Sequence, residues 1–157
     1  MELDREELEQ VSKVLKDIDF LEHLSPGEKE KLVAGFEKAD IRKGEILITQ
    51  GKSGSVFYIL ASGTVGIFLK RALLDKKIAA LQSGSFFGEM SLISDEPRSA
   101  SVVCETDGTV FTLLRDTFRD VIMHNPHISE VIRKTATRRK QETHNIELGE
   151  AIGRNFK

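Results

Sequence analysis

The chain has 157 residues, 39% of them hydrophobic, which suits one domain with a buried core flanked by helices. Its net charge of −2, with 31% of residues charged and both signs mixed, provides neither a nucleic-acid-binding field nor an acidic tail. One cysteine, Cys104, excludes an intramolecular disulfide, and the absence of a signal-like or membrane-length apolar run predicts a cytoplasmic chain with no membrane segment.

In chain order, Asp4 to Ile18 carries Leu8, Val11, Leu15 and Ile18 at helical spacing, and Asp4 with Glu7 forms a capping pair. Ser25-Pro26-Gly27-Glu28 opens a second helix running to about Phe36 and burying Leu32, Val33 and Phe36. From Ile41 the period becomes strand-like, with strands at 46–48, 56–60 and 65–69 and further ones at 77–81, 100–104 and 109–114. Short strands between glycine- and serine-rich turns predict a mainly β fold, an antiparallel β-barrel or jelly roll. Ala72-Leu73-Leu74 falls inside a hairpin loop, where apolar residues either pack locally, the commoner case, or touch a partner. Cys104, in the apolar run 100–104, reads as a core residue.

The stretch from Gly84 to Ser101 reads as a ligand site. Gly84 and Gly88 let the backbone turn sharply and come close to a guest. Glu89-Met90-Ser91-Leu92-Ile93 is long enough for one helical turn, whose unpaired N–H groups suit a phosphate. Arg98, after Pro97, brings a permanently charged donor fork for phosphate oxygens, and Ser99 adds a hydroxyl and an N–H. Glu89 accepts only, so it must face hydroxyl donors such as a ribose edge. An acid for sugar and a base for phosphate imply a nucleotide.

Phe87-Gly88-Glu89-Met90-Ser91-Leu92-Ile93 followed by Pro97-Arg98-Ser99-Ala100-Ser101 resembles the phosphate-binding cassette of the cyclic nucleotide-binding domain family. The glycines at 44, 51, 54 and 63 resemble that family's turns, although Ser55 stands where an aspartate is frequent. The resemblance implies that Glu89 accepts from the ribose 2′-hydroxyl and that Arg98 pairs with the cyclic phosphate. The backbones of Gly88, Ser91 and Ser99 would help hold both, and Met90 and Ala100 complete the cassette set. Ser91 replaces the usual alanine, which matters little if only its N–H is used.

Residues 116–124 make a short helix with Phe118, Val121 and Ile122 inward, and Asn125-Pro126 opens a longer one carrying Ile128, Val131, Ile132 and Thr135. In position the longer one is the family's lid helix. Its basic run, Arg133 to Lys140, is a solvated face at even odds. By similarity to prokaryotic channel domains, Arg139 falls where an arginine closes over the purine, with Arg138 as its neighbour in another register. Residues 141–157 carry too weak a pattern to separate a tail, a further helix and a contact surface.

The expected organisation is N-terminal helices at 1–40, a barrel at 41–114 with the cassette at 84–101, hinge and lid helices at 115–140, and a tail at 141–157. The expected function is a non-enzymatic sensor of a 3′,5′-cyclic nucleoside monophosphate. The ligand is cAMP, with cGMP the weaker one, because similar domains with serine at the Ser99 position commonly take cAMP. Its partner is an unidentified effector protein or attached effector domain, and it needs no cofactor, metal or nucleic acid. The alternatives are a nucleotide-independent interaction or scaffolding domain, and a regulatory fragment of a larger channel, kinase or other effector. Other signals fail: Gly51-Lys52-Ser53 lacks the earlier glycine of a P-loop, and the histidines are placed wrongly for a metal-dependent cupin. About 17 residues follow Lys140, too few for a helix-turn-helix module.

Overall fold

A computed structural model describes residues 2–18, 21–122, 125–127, 130–131 and 134. Two reciprocal capping boxes start the first helices. Helix α1, Arg5–Leu15, begins where the Asp4 carboxylate accepts from Glu7 N–H and the Glu7 carboxylate accepts from Asp4 N–H, both at 2.9 Å. Helix α2, Pro26–Ala34, uses Ser25 and Glu28 in the same way, and the backbone bond from Ser25 draws the Glu28 carboxyl below the usual range. The helix closes at Gly35, so Phe36 is buried from the connection beyond the helix.

Among the described residues eight strands follow: β1 Glu37–Ile41, β2 Ile46–Ile48, β3 Val56–Ser62, β4 Val65–Arg71, β5 Leu74–Leu81, β6 Phe86–Phe87, β7 Ser101–Cys104 and β8 Gly108–Leu114. They form two antiparallel four-stranded sheets of a jelly roll, ordered β1-β8-β3-β6 and β2-β7-β4-β5. The sheet thus starts at Glu37, before the expected Ile41. Glu37, Lys38 and Asp40 carry no alternating apolar signal, because β1 is an edge strand held to β8 through its backbone. Strand β6 is too short to leave a pattern. Strand β5 begins at Leu74, so the expected hairpin loop shrinks to Ala72-Leu73.

Alternation along β3 and β8 divides the core in two. Phe57, Ile59, Phe111 and Leu113 face the helices, joining Val11, Leu15, Leu32, Phe36 and Phe118. Leu60 and Val110 face the second sheet, joining Ile41, Val65, Ile67, Leu81, Val102 and Cys104. Burial raises the Cys104 thiol pKa, as suits a packed, unreactive side chain.

Helix α3, Arg115–Ile122, turns Phe118 and Ile122 into the helical half of the core, with Val121 packed at its margin. Past α3, the Asn125 amide donates to the Glu28 carboxylate at 3.2 and 3.4 Å, and the His23 and His127 rings meet edge-on at 5.2 Å. The chain therefore leaves the sheets leaning on α2. Arg138, Arg139 and the tail at 141–157 lie outside the described residues. Among the described residues no helix is long and apolar enough to cross a membrane, and no His, Cys, Asp and Glu cluster could hold a metal.

Candidate functional site

Gly88 has φ +79°, a left-handed conformation that a side chain would strain, and it turns the chain out of β6 into a 3-10 turn at Glu89–Leu92. Ser91 donates to the Gly88 carbonyl through its N–H at 3.1 Å and its hydroxyl at 2.6 Å. The first N–H groups of the turn, those of Glu89 and Met90, have no acceptor within it. Glu89 is only 3% exposed, an unusual position for a carboxylate, and it belongs to a buried polar floor with Ser91.

Arg98 reaches this floor from the other end of the cassette. Its backbone is clamped by the β2–β3 loop in both directions: Gly51 N–H donates to the Arg98 carbonyl at 2.8 Å, and Arg98 N–H donates to the Lys52 carbonyl at 2.9 Å. The Gly51-Lys52-Ser53 turn therefore positions the arginine. Two more bonds bind loop to cassette, Ser53 hydroxyl to the Asp95 carbonyl at 3.0 Å and Gln50 N–H to the Ser101 hydroxyl at 2.9 Å.

The Arg98 guanidinium lies between two glycines. A Cβ on Gly54 would fall 2.6 Å from its Nε and 2.9 Å from its Cζ, and one on Gly88 would fall 2.9 Å from Nη1. Its Nη2 donates to the Val56 carbonyl at 3.1 Å. Burial lowers the Arg98 pKa, Tyr58 and Glu89 favour its charge, and Arg115 opposes it. Burial likewise raises the Tyr58 pKa; its ring stacks on Phe87 with centroids 5.0 Å apart. The arrangement is a half-desolvated cation beside a buried carboxylate, able to receive an anion with a hydroxyl neighbour. Of the remaining candidates, Met90 and Ser99 are half-buried and Ala100 is packed between the sheets.

Sequence reasoning passed over Arg115. Its Nε donates to the Ser91 carbonyl and its Nη2 to the Gly54 carbonyl, both at 2.5 Å; Nη2 also reaches the Ser94 carbonyl at 3.3 Å, and Nη1 pairs with Asp95. One side chain joins the cassette, the Gly54 wall and the first residue of α3. A signal existed, since a cation opening a helix opposes the macrodipole and must be held by something else.

Comparison with known proteins gives one family model, "Cyclic nucleotide-binding domain", which matches residues 38–125. A cAMP-dependent protein kinase regulatory subunit of Aspergillus fumigatus is 34% identical over 69% of this chain and 26% of its own. A cGMP-dependent protein kinase of Toxoplasma gondii is 35% identical over 63% of this chain and 10% of its own. The chain spans about a quarter or less of the length of these relatives. Among solved structures, cAMP-bound PfPKA-R superposes with TM-score 0.70 at 26% identity, covering 79% of this chain and 44% of that one.

Proposed function

Because the chain belongs to the cyclic nucleotide-binding domain family, we propose that it is a sensor of a 3′,5′-cyclic nucleoside monophosphate, cAMP in preference to cGMP. The observation that carries this reading is the Arg98 guanidinium, packed between Gly54 and Gly88 beside buried Glu89. A phosphate there supplies a counter-charge and acceptors in place of the water that burial has taken from the arginine, and Glu89 accepts from the ribose 2′-hydroxyl. Gly88, Met90, Ser91, Ser99 and Ala100 shape the rest of the cassette within the β region at 41–114. The helices at 1–40 pack outside it.

Ligand capture shifts the cassette, the hinge at Phe118–Ile122 relaxes, and the lid within 115–140 closes with Arg139 over the base. The nucleotide drives closure only by as much as it prefers the closed form. The output is regulation of a cytoplasmic effector, either a separate protein or an attached domain, with no chemistry at the site and no cofactor. The 141–157 segment has no role assigned to it.

Calorimetric titration of cAMP and cGMP into refolded, nucleotide-free protein tests this, with amide exchange mapped on the same samples. Binding at micromolar affinity or tighter, about −8 kcal/mol or better, with cAMP ahead and 126–140 newly protected, is expected. Relatives named for each nucleotide make the ranking a real test. No heat with either would leave an interaction domain, and binding without new protection at 126–140 would remove the lid.

Gly54→Ala gives a sharper check on the site. The added methyl collides with the movable end of Arg98, so the guanidinium is displaced while the fold is kept. Affinity for cAMP is expected to fall by about 1–3 kcal/mol, part of what losing the charged partner outright would cost, with the urea midpoint nearly unchanged. A variant that binds normally would place the phosphate elsewhere.

A further inference from the structure

We propose that the β4–β5 hairpin is a docking site for an anionic phospholipid surface, with Leu73 and Leu74 entering the interface and the cations behind them at headgroup level. The shape comes first. Strand β7 lies along β4 only from Val65 to Phe68, and the pairs Leu69↔Lys76, Lys70↔Asp75 and Arg71↔Leu74 carry the ribbon past that neighbour. Three further pairs at about 3.4 Å per residue make an overhang of about 10 Å. It is held at its base by Gln50, whose side chain accepts from Lys70 N–H at 2.7 Å and donates to the Lys70 carbonyl at 3.2 Å.

The apex is apolar where water-facing turns are ordinarily polar. Ala72 turns with φ +55°, a conformation better suited to glycine or asparagine, and Leu73 and Leu74 are 94% and 78% exposed. Among the described residues these are the two most exposed large hydrophobic side chains.

Charge decides between possible partners. Residues 70–77 contain Lys70, Arg71, Lys76 and Lys77 against one acid, Asp75, a local excess of three positive charges in a chain whose net charge is −2. Lys77 pairs with Glu105 at 2.7 Å, and the other three cations stand nearer the apex, on both strands. An apolar tip backed within about 10 Å by cations matches the layering of a bilayer surface, where apolar groups enter the acyl boundary and cations meet anionic headgroups. A protein pocket for two leucines would need no such ring of cations.

Co-sedimentation of the full chain with vesicles tests the proposal, using phosphatidylcholine alone and phosphatidylcholine mixed with phosphatidylserine. The chain is expected to pellet with the mixed vesicles, to stay largely in solution with phosphatidylcholine alone, and to dissociate as salt rises. Leu73→Ser with Leu74→Ser is expected to lower the bound fraction about tenfold or more, and Lys70→Glu with Lys76→Glu to do the same. All four positions are exposed, so each double variant is expected to keep the wild-type melting temperature. A chain that stays in solution with the mixed vesicles overturns the proposal and leaves the tip to a protein partner. Undiminished pelleting of the serine double variant overturns it as well.

Discussion

Arg98→Ala is expected to lower cAMP affinity by about 2–5 kcal/mol, roughly thirtyfold to several thousandfold, while leaving the apo protein folded. The loss is large because it removes the charged donor fork that lies between Gly54 and Gly88, and alanine offers nothing in its place. Stability is expected to move little, since removing a cation held in a desolvated position offsets the lost bond to the Val56 carbonyl. Calorimetry and urea unfolding of the same variant separate the two quantities. Unchanged affinity would reject the site. On the proposed reading Glu89 stands second, because its replacement would remove hydrogen bonds to a sugar and leave the phosphate with its cation.

Arg115→Met is expected to act the other way round, costing about 2–4 kcal/mol of folding stability. Methionine keeps much of the apolar stem but leaves the carbonyls of Gly54, Ser91 and Ser94 without their shared donor. Arg115→Lys is expected to recover only part of the loss, because an ammonium cannot span three carbonyls as a planar fork does. The Asp95 partner is well exposed, so Asp95→Asn should cost less than about 1 kcal/mol. A drop in urea midpoint at constant slope is the readout. If Arg115→Met and Asp95→Asn proved equally mild, the arginine would be a surface charge and not the tie between cassette and α3.

The contrast between these two arginines explains what the sequence makes legible. The place of Arg98 beside Gly88 and Glu89 is readable because it is written in neighbours of distinct type, the glycine and glutamate before it and the proline beside it. The capping boxes at Asp4 and Ser25 are readable for the same reason, since both halves of each lie within four residues. Arg115 binds backbone carbonyls from positions 54, 91 and 94, and a carbonyl leaves no mark on residue identity, so the sequence carries only the misplaced charge at the start of α3 and not its partners. Strand β1 hides similarly, because its polar residues are recruited by the backbone of β8. At the hairpin, eight residues of mixed character give no sign that the ribbon outruns its neighbour, a fact that depends on where β7 stops.

The pairing of β1 with β8 has a kinetic consequence. Glu37 lies opposite Thr112, so the β region is closed by a contact between segments some seventy-five residues apart in the chain. Arg98 is likewise fixed by Lys52, far earlier in the sequence. Local helix formation in α1 and α2 contributes nothing to either meeting, and the entropy of closing such long loops is incurred before the contacts return it. The chain must therefore complete nearly all of its slow, non-local search before a pocket exists. On the proposed reading, ligand competence would emerge as a late event of folding, and a newly synthesised chain could not bind a nucleotide until β8 has been made and has found its edge strand.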